Sequence, residues 1–139
     1  MSKGVIQIYY GEGHGKSTAA IGNAIHVASE GKNVIIIQFL KGKDENELAF
    51  LNRLEPEIKV FRFAKSDECF DELPENVKQE EIMNLRNGFN YGKKVVTTEA
   101  CDMLVLDEVL GIMDEKVITP DELKELFANK PEDMTLVCT

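Results

Sequence analysis

The chain has 139 residues, of which 43% are hydrophobic and 29% are charged, and its net charge at pH 7 is −9. This composition is that of one ordinary globular domain with a substantial core, and it excludes disordered, fibrous and disulfide-stapled proteins. The longest uncharged, largely apolar run, Val34–Leu40, is far shorter than the roughly 20 residues that cross a membrane. Because no signal-peptide pattern precedes the first strand-like run, we expect a cytoplasmic protein.

The charge is distributed unevenly along the chain. Residues 1–43 carry five lysines and two acidic residues, a local balance of +3, whereas the remainder carries −12. The overall acidity argues against generic nucleic-acid binding, which depends on Lys and Arg neutralising phosphates. The first third suits a small polyanion, although incidental surface charge explains the same balance equally well.

The first forty residues predict a strand, a helix and a second strand. Val5–Tyr10 is a short run of branched and aromatic residues that ends in glycines, which is typical of a buried strand. Ser17–Glu30 carries small apolar residues on one helical face, and Gly31 is placed as its C-terminal cap. Asn33–Leu40 contains four consecutive branched residues without alternation, as in a parallel strand covered on both faces. The chain therefore opens with a βαβ unit.

A helix, a strand and a loop are predicted next. Glu45–Leu54 repeats leucine at helical spacing and predicts a short helix, and Ile58–Phe63 alternates like a strand. Ser66–Asn76 is acidic and shows no period, so it predicts a loop. Residues from Val77 to about Thr98 have apolar residues near helical spacing, although two internal glycines weaken that pattern.

The last third predicts two strands separated by a helix. Met103–Leu106 is a buried strand that ends in two acidic residues. Thr119 begins a helix with a capping-box pattern, because proline follows it and Glu122 stands three residues on. Residues 134–139 predict a final strand. Strands that alternate with helices predict an α/β fold with a mainly parallel sheet sandwiched by helices.

The three cysteines, Cys69, Cys101 and Cys138, are far apart and form no C-x-x-C pair. They predict neither a disulfide framework nor a zinc site. We expect reduced, mainly buried thiols.

A glycine-rich string, Gly11-Glu12-Gly13-His14-Gly15-Lys16-Ser17-Thr18, lies between a predicted strand and a predicted helix. Glycines allow backbone N–H groups to approach phosphate oxygens, and a lysine supplies a positive charge. Ser17, at the helix N-terminus, is placed to offer its hydroxyl to Mg²⁺. Tyr10 stands where the general phosphate-loop pattern has its first glycine. A glycine-rich turn with an incidental lysine is the alternative.

The predicted strand Met103–Leu106 continues into Asp107 and Glu108. A phosphate-binding loop that works with Mg²⁺ needs an acidic group at the end of a neighbouring buried strand. We therefore predict Ser17, Asp107 and Glu108 as metal ligands, although acids at a strand end are also common as solvated turn residues.

Three strings together resemble the ATP:corrinoid adenosyltransferases of the P-loop type. They are the glycine-lysine loop followed by Thr18-Ala19-Ala20, then Gln38-Phe39-Leu40-Lys41-Gly42, then Leu106-Asp107-Glu108. The resemblance covers the chain from about Gly4 to its last residue and implies one P-loop NTPase-like (RecA-like) domain over residues 1–139. It also implies that the family pattern continues beyond the final strand.

The resemblance implies transfer of the 5′-deoxyadenosyl group of ATP to the Co(I) of a corrinoid such as cobalamin or cobinamide, with release of triphosphate. It further implies Mg²⁺, a homodimer and a flavodoxin-like reductant. Lys16 and Glu108 would act in catalysis. The residues that would bind the substrates are Gly11, Gly13, His14, Gly15, Lys16, Ser17, Thr18, Gln38, Lys41 and Phe70.

Two positions depart from the family pattern. His14 stands where the family often has lysine. The nearest match to the family's Gly-Phe-x-Trp segment is Cys69-Phe70-Asp71-Glu72, and the chain has no tryptophan. Phe70 would take the phenylalanine position, although core packing explains this residue at least as well.

Two other functions are compatible with the same residues. A P-loop ATPase or kinase would cleave the γ-phosphate and form ADP. That reaction often uses an arginine finger, for which the sequence leaves three candidates, Arg53, Arg62 and Arg86, without clearly placing any of them. A non-catalytic module would bind ATP or a corrinoid without turnover.

Overall fold

The structure is a computed structural model that describes residues 4–11, 15–40, 45–63 and 70–139, with the backbone alone at residues 45–48. The strands are β1 (Ile6–Ile8), β2 (Val34–Gln38), β3 (Ile58–Arg62), β4 (Met103–Asp107) and β5 (Thr135–Cys138). The helices are α1 (Lys16–Ser29), α2 (Glu45–Asn52), α3 (Glu75–Thr98), α4 (Val109–Asp114) and α5 (Pro120–Asn129), with a 3₁₀ turn at Phe70–Glu72. None of these helices is long and apolar enough to span a membrane.

The five strands form one parallel sheet in the order β1-β5-β4-β2-β3. The predicted parallel α/β fold and the opening βαβ unit are therefore confirmed. One strand, β5, separates β1, which precedes the glycine-rich loop, from β4, which ends in Asp107. All carboxyl ends of the strands consequently meet at one edge of the sheet.

Helices cover both faces of the sheet. On one face, Ala20 and Ala24 of α1 pack against the branched side chains of the central strands, such as Ile36 and Val105. On the other face, α3 and α5 pack against the alternate residues of the same strands. Every residue of β2 and β4 is buried, as the uninterrupted apolar runs predicted.

The two glycines of α3 lie against the sheet. A β-carbon at Gly88 would lie 2.8 Å from the Phe63 ring and 2.9 Å from Phe39, and one at Gly92 would lie 3.4 Å from Leu106. Gly88 in particular allows α3 to approach the aromatic residues beneath it. The glycines that weaken the helical pattern in the sequence are thus packing residues within a single 24-residue helix.

The first strand is present as predicted, but the prediction that it is buried is wrong. Ile6 and Ile8 are 39% and 44% exposed, because β1 is the edge strand of the described sheet and has β5 as its one neighbour there. The predicted loop at 66–76 is also partly wrong. Its described part contains the 3₁₀ turn, and α3 begins at Glu75, two residues before the predicted start.

Helix α4 was not predicted. It has only six residues, and Glu108, its N-terminal cap, adopts a left-handed conformation and makes no side-chain capping bond. Neither period nor capping residues therefore mark it in the sequence. Helix α5, in contrast, has the predicted capping box, in which Thr119 and Glu122 each accept the other's backbone N–H.

Candidate functional site: the carboxyl edge of the sheet

A cavity of about 400 Å³ lies at the carboxyl edge of the sheet, beside the start of α1. Its described lining residues are Tyr9, Tyr10, Gly11, Lys16, Ser17, Glu108, Leu110, Gly111, Met113, Asp114 and Thr139. This volume falls within the range of small-molecule sites, and the position is the one at which open parallel sheets bind ligands.

Two glycines shape the approach of the chain to α1. Gly11 and Gly15 have φ angles of 115° and 109°, which side chains with a β-carbon rarely adopt. Gly15 is the N-terminal cap of α1, and its carbonyl accepts the N–H of Ala19 in the first helical hydrogen bond. The Nζ of Lys16 donates to the carbonyl oxygen of Gly11 at 2.8 Å. The ammonium group of Lys16 therefore lies at Gly11, and the first turn of α1, which carries the positive end of the helix dipole, borders the cavity.

Asp107 connects the elements beneath this loop. Its Oδ1 accepts hydrogen bonds from the Ser17 hydroxyl at 2.6 Å and from the Thr139 hydroxyl at 2.8 Å. Its Oδ2 accepts from Nε2 of Gln38 at 3.3 Å. The carboxyl group is 1% exposed, and three neutral donors compensate its burial.

The sheet register explains this convergence. Asp107 is paired with Gln38 in the β2–β4 ladder, so the two side chains project from the same face at the same level. Ser17 is in the first turn of α1, which covers that face, and Thr139 directly follows β5. Residues from four separate parts of the chain thus meet at one carboxylate.

Glu108 is oriented differently from its neighbour. It has a φ of 67°, it is half-buried, and it lines the cavity. Its backbone N–H donates to the Thr139 hydroxyl at 2.7 Å. The two successive acids are therefore a buried carboxylate under Ser17 and a carboxylate in the cavity wall.

The predicted site residues fall into three groups. Gly11, Lys16, Ser17 and Glu108 line the cavity, with Gly15 and Thr18 exposed at the start of α1 and with Gln38 and Asp107 buried beside Ser17. Phe70 is buried in the core on the α3 side, under the Lys78 ammonium group, and is not among the described lining residues. Gly13, His14 and Lys41 lie outside the described residues, and the corrinoid-binding role of Phe70 stays a prediction.

Two contacts of this network were not predicted, and Arg62 was considered only as an arginine finger of the alternative ATPase or kinase. Thr139 contacts Asp107 directly, and Arg62 donates from Nε to Oε1 of Gln38 at 2.6 Å. Each stands at or just after the carboxyl end of a predicted strand, which is the signal that the sequence offered for them. Their contacts depend on strand order, which the sequence pattern does not specify.

Oxygen donors that suit a metal ion are available around Asp107. Within the described ranges, no three His, Cys, Asp or Glu side chains come together as a ready-made metal cluster. The donors around Asp107 are hydroxyl and carboxylate oxygens, which match Mg²⁺, an ion that usually takes one or two carboxylates and completes its shell with phosphate and water.

A parallel sheet with one strand between β1 and β4, and a glycine-lysine loop leading into α1, are features of the P-loop NTPase-like α/β proteins. Residues 2–139 match the model of one family in particular, ATP:corrinoid adenosyltransferase BtuR/CobO/CobP. The chain therefore belongs to this family, and its activity is the family's transfer of an adenosyl group from ATP to a corrinoid.

Individual relatives are similar at modest identity. The corrinoid adenosyltransferase of Escherichia coli (strain K12) is 27% identical over 137 residues, which are 99% of this chain and 67% of that protein. The corrinoid adenosyltransferase CobA of Salmonella typhimurium (strain LT2) is 28% identical with the same coverage. An uncharacterized protein of Nostoc sp. is 27% identical over 96% of this chain and 38% of its own length.

Proposed function

We propose that the domain formed by residues 1–139 transfers the 5′-deoxyadenosyl group of Mg·ATP to the cobalt of a reduced corrinoid and releases triphosphate. The observation that carries the proposal is the 2.6 Å hydrogen bond from Ser17 to Asp107 beneath the cavity. It joins the start of α1, where phosphates bind in P-loop proteins, to the acidic strand end that such proteins use for the metal.

The triphosphate is proposed to lie against the loop from Gly11 to Thr18. The first turn of a helix directs N–H groups outward, and the glycine conformations at positions 11 and 15 leave the backbone accessible to phosphate oxygens. The ammonium group of Lys16 already lies at the loop, held by the Gly11 carbonyl. In the complex it would exchange this neutral acceptor for a phosphate oxygen, which is the stronger partner.

The Ser17 hydroxyl and the Asp107 carboxylate are proposed to hold Mg²⁺, with Glu108 contributing from the cavity wall. The hard oxygen donors fit this ion. When bound, the ion neutralises charge on the departing triphosphate. Ser17 and Asp107 contribute by fixing where that charge compensation occurs, since Thr139 and Gln38 hold Asp107 in place and Asp107 accepts the hydrogen bond of Ser17.

The chemical step needs no general base. Co(I), part of the corrinoid substrate, supplies the electron pair for the new bond to C5′, while the pair of the broken C5′–O5′ bond leaves with triphosphate. The protein's contribution is to align the ribose with the corrinoid and to stabilise the leaving group through Lys16.

Further features are proposed from the family resemblance. They are a cytoplasmic location, a homodimer, electrons from a flavodoxin-like reductant, and contacts of Gly13, His14 and Lys41 with the substrates. Velocity sedimentation tests the homodimer, and a mass of one chain at micromolar concentration argues against it.

An anaerobic assay with Mg·ATP and chemically reduced cob(I)alamin tests the function. We expect a light-sensitive alkylcobalt product and one triphosphate per corrinoid. ADP without cobalt alkylation would instead identify an ATPase, and bound but unconsumed ATP would identify a binding module.

Lys16→Ala provides the first variant for this assay. We expect it to raise KM for ATP, lower kcat, or both, by about tenfold or more, since it removes the positive charge that would stabilise the departing triphosphate. Lys94→Ala, an exposed lysine of α3, is the matched control and should behave like the parent protein. If Lys16→Ala leaves both ATP affinity and turnover unchanged, the loop does not hold the triphosphate.

A further inference from the structure

Three side chains form a row across the sheet behind the proposed nucleotide site. The last pairs of two ladders join Gln38 of β2 to Arg62 of β3 on one side and to Asp107 of β4 on the other. Residues paired in this way project to the same face of a sheet. The row therefore lies on the face that α1 covers, at the carboxyl edge.

Hydrogen bonds run along this row in one direction. Nε of Arg62 donates to Oε1 of Gln38 at 2.6 Å, and Nε2 of Gln38 donates to Oδ2 of Asp107 at 3.3 Å. Beyond Asp107, Oδ1 accepts from the Ser17 hydroxyl. A chain of four residues thus connects β3 to the first turn of α1.

The chemistry of these groups fixes the orientation of the amide. A guanidinium group can only donate hydrogen bonds, so the Gln38 oxygen must face Arg62. The amide nitrogen must then face Asp107, whose ionised carboxylate can only accept. Without Arg62, the Gln38 oxygen loses its charged donor, and Asp107 alone holds the amide in place.

Burial makes this orientation important. Gln38 and Asp107 are 0% and 1% exposed, so solvent does not replace a lost hydrogen bond. In such surroundings hydrogen bonds are stronger and an unsatisfied polar group is costly. Arg62 is half-buried, and neither it nor Gln38 is among the described lining residues of the cavity. The hydrogen bonds through Gln38 therefore connect Arg62 to the Asp107 carboxylate.

We propose that Arg62 is a positioning residue: through Gln38 it orients the Asp107 carboxylate and so sets the Mg²⁺ concentration that the site needs to bind ATP. This inference rests on the proposed function in that it places Mg·ATP beside Ser17. Groups that orient a metal-binding carboxylate typically affect metal affinity by about tenfold to a hundredfold.

The test measures binding of a fluorescent ATP analogue as a function of Mg²⁺ concentration, in the absence of a corrinoid. Arg62→Met keeps the apolar stem and removes the donors. We expect it to raise the Mg²⁺ concentration for half-maximal binding about tenfold. Lys59→Ala, an exposed residue of the same strand, is the matched control and should leave this concentration unchanged.

A double-mutant cycle with Gln38→Ala tests whether Arg62 acts through the glutamine. We expect Arg62→Met to shift the Mg²⁺ dependence in the parent protein and to add nothing in the Gln38→Ala background. An unshifted Mg²⁺ dependence, or effects of the two substitutions that add, overturns the proposal. If Arg62→Met does not fold, as judged by thermal unfolding, Arg62→Lys replaces it, with the same expected direction.

This binding experiment separates the two proposals. A parent protein that binds Mg·ATP but transfers no adenosyl group contradicts the proposed function. The Mg²⁺ dependence of ATP binding in the Arg62 variants still tests the positioning role in that case. A parent protein whose ATP binding is independent of Mg²⁺ contradicts the positioning role of Arg62 directly.

Discussion

At the scale of the residue, the two successive acids at the end of β4 have different surroundings. Asp107 is buried and accepts hydrogen bonds from Ser17 and Thr139, whereas Glu108 is half-buried in the cavity wall. Adjacent residues at a strand end diverge because the chain turns at once into α4, with Glu108 in a left-handed conformation. The sequence predicted both as metal ligands, and the geometry favours Asp107 for the position next to Ser17.

This difference predicts unequal effects of removing each charge. Asp107→Asn should raise the Mg²⁺ concentration for half-maximal activity by about tenfold to a hundredfold, because the group next to Ser17 becomes neutral. Glu108→Gln should raise it by less than about tenfold. Mg²⁺ titrations of the initial rate at saturating ATP measure both effects, with Asp133→Asn, an exposed acid, as the control. A larger effect at Glu108 than at Asp107 would reverse the assignment.

At the scale of the element, helix α3 depends on close contact between Gly88 and the sheet. Gly22 of α1 provides a natural comparison, because a β-carbon there would meet nothing within 4 Å. Both glycines are inside helices, so both substitutions by alanine gain the same intrinsic helix propensity. The two sites differ in the space available, since Gly22 is exposed and Gly88 is buried against the sheet.

We therefore expect opposite changes in stability. Gly22→Ala should raise the free energy of unfolding by about 0.5–1 kcal/mol. Gly88→Ala should lower it by about 1–3 kcal/mol, because the added methyl group meets the Phe63 and Phe39 rings at 2.8 and 2.9 Å. Urea unfolding curves measure both values, and a stabilising Gly88→Ala would mean that α3 is not in such close contact with the sheet.

The start of α5 has a pH-sensitive stabilising contact. Partial burial by itself raises the pKa of Glu122, but the hydrogen bond from the Thr119 backbone and the nearby Arg86 guanidinium outweigh it and hold the pKa below its ordinary value. Arg86 donates to the Glu122 carboxylate at 2.8 Å and also to the carbonyl of Val117, so it links α3 to the segment before α5.

Because the pKa of Glu122 is lower in the folded state, its contribution is complete above the unfolded pKa of about 4.3. It is lost as the pH falls through the lower folded pKa. Glu122→Gln should therefore cost about 0.3–1 kcal/mol at pH 7, because the amide oxygen still accepts the Thr119 N–H but the negative charge at the start of α5 is lost, and the half-exposed pair with Arg86 adds little. The difference should shrink below about pH 4. Thermal unfolding across pH 3–7 measures it, and Glu125→Gln, exposed on the same helix, should show no such pH dependence.

At the scale of the whole molecule, the site depends on strand order as much as on motifs. Strand β5, from the end of the described chain, pairs with β1 on one side and β4 on the other. This insertion brings Thr139 to Asp107 and places Tyr9 and Thr139 in one cavity. Residues that follow the first and the last described strands thus line the same cavity.

Local patterns in the sequence predicted where the helices and strands lie better than they predicted which strands pair with one another. The apolar runs of β2 and β4 and the capping box of α5 carry their own signals, because burial and capping are local requirements. The exposure of β1, the contact from Thr139 and the row from Arg62 to Asp107 depend on which strands pair and in which register. Those long-range choices leave little trace in a single sequence. The positions of Lys16 and Asp107 at this edge of the sheet followed from local motifs, whereas the contact of Arg62 with Gln38 did not.

The packed sheet also predicts the chemistry of its thiols. Cys101 and Cys138 are free and buried, as the sequence analysis expected, and burial raises the pKa of each thiol to about 12. At pH 8 only about one part in ten thousand of such a thiol is the reactive thiolate.

In a Cys69→Ser variant, in which Cys101 and Cys138 are the remaining cysteines, a disulfide reagent should react very slowly with the native protein and should label both thiols at once in urea. Since Cys138 belongs to β5, which is paired on both sides, its labelling requires opening of the sheet itself and should slow when Mg·ATP stabilises the fold. Rapid labelling of both thiols without denaturant would contradict the closed sheet, and a labelling rate that Mg·ATP leaves unchanged would separate opening of β5 from binding at the cavity.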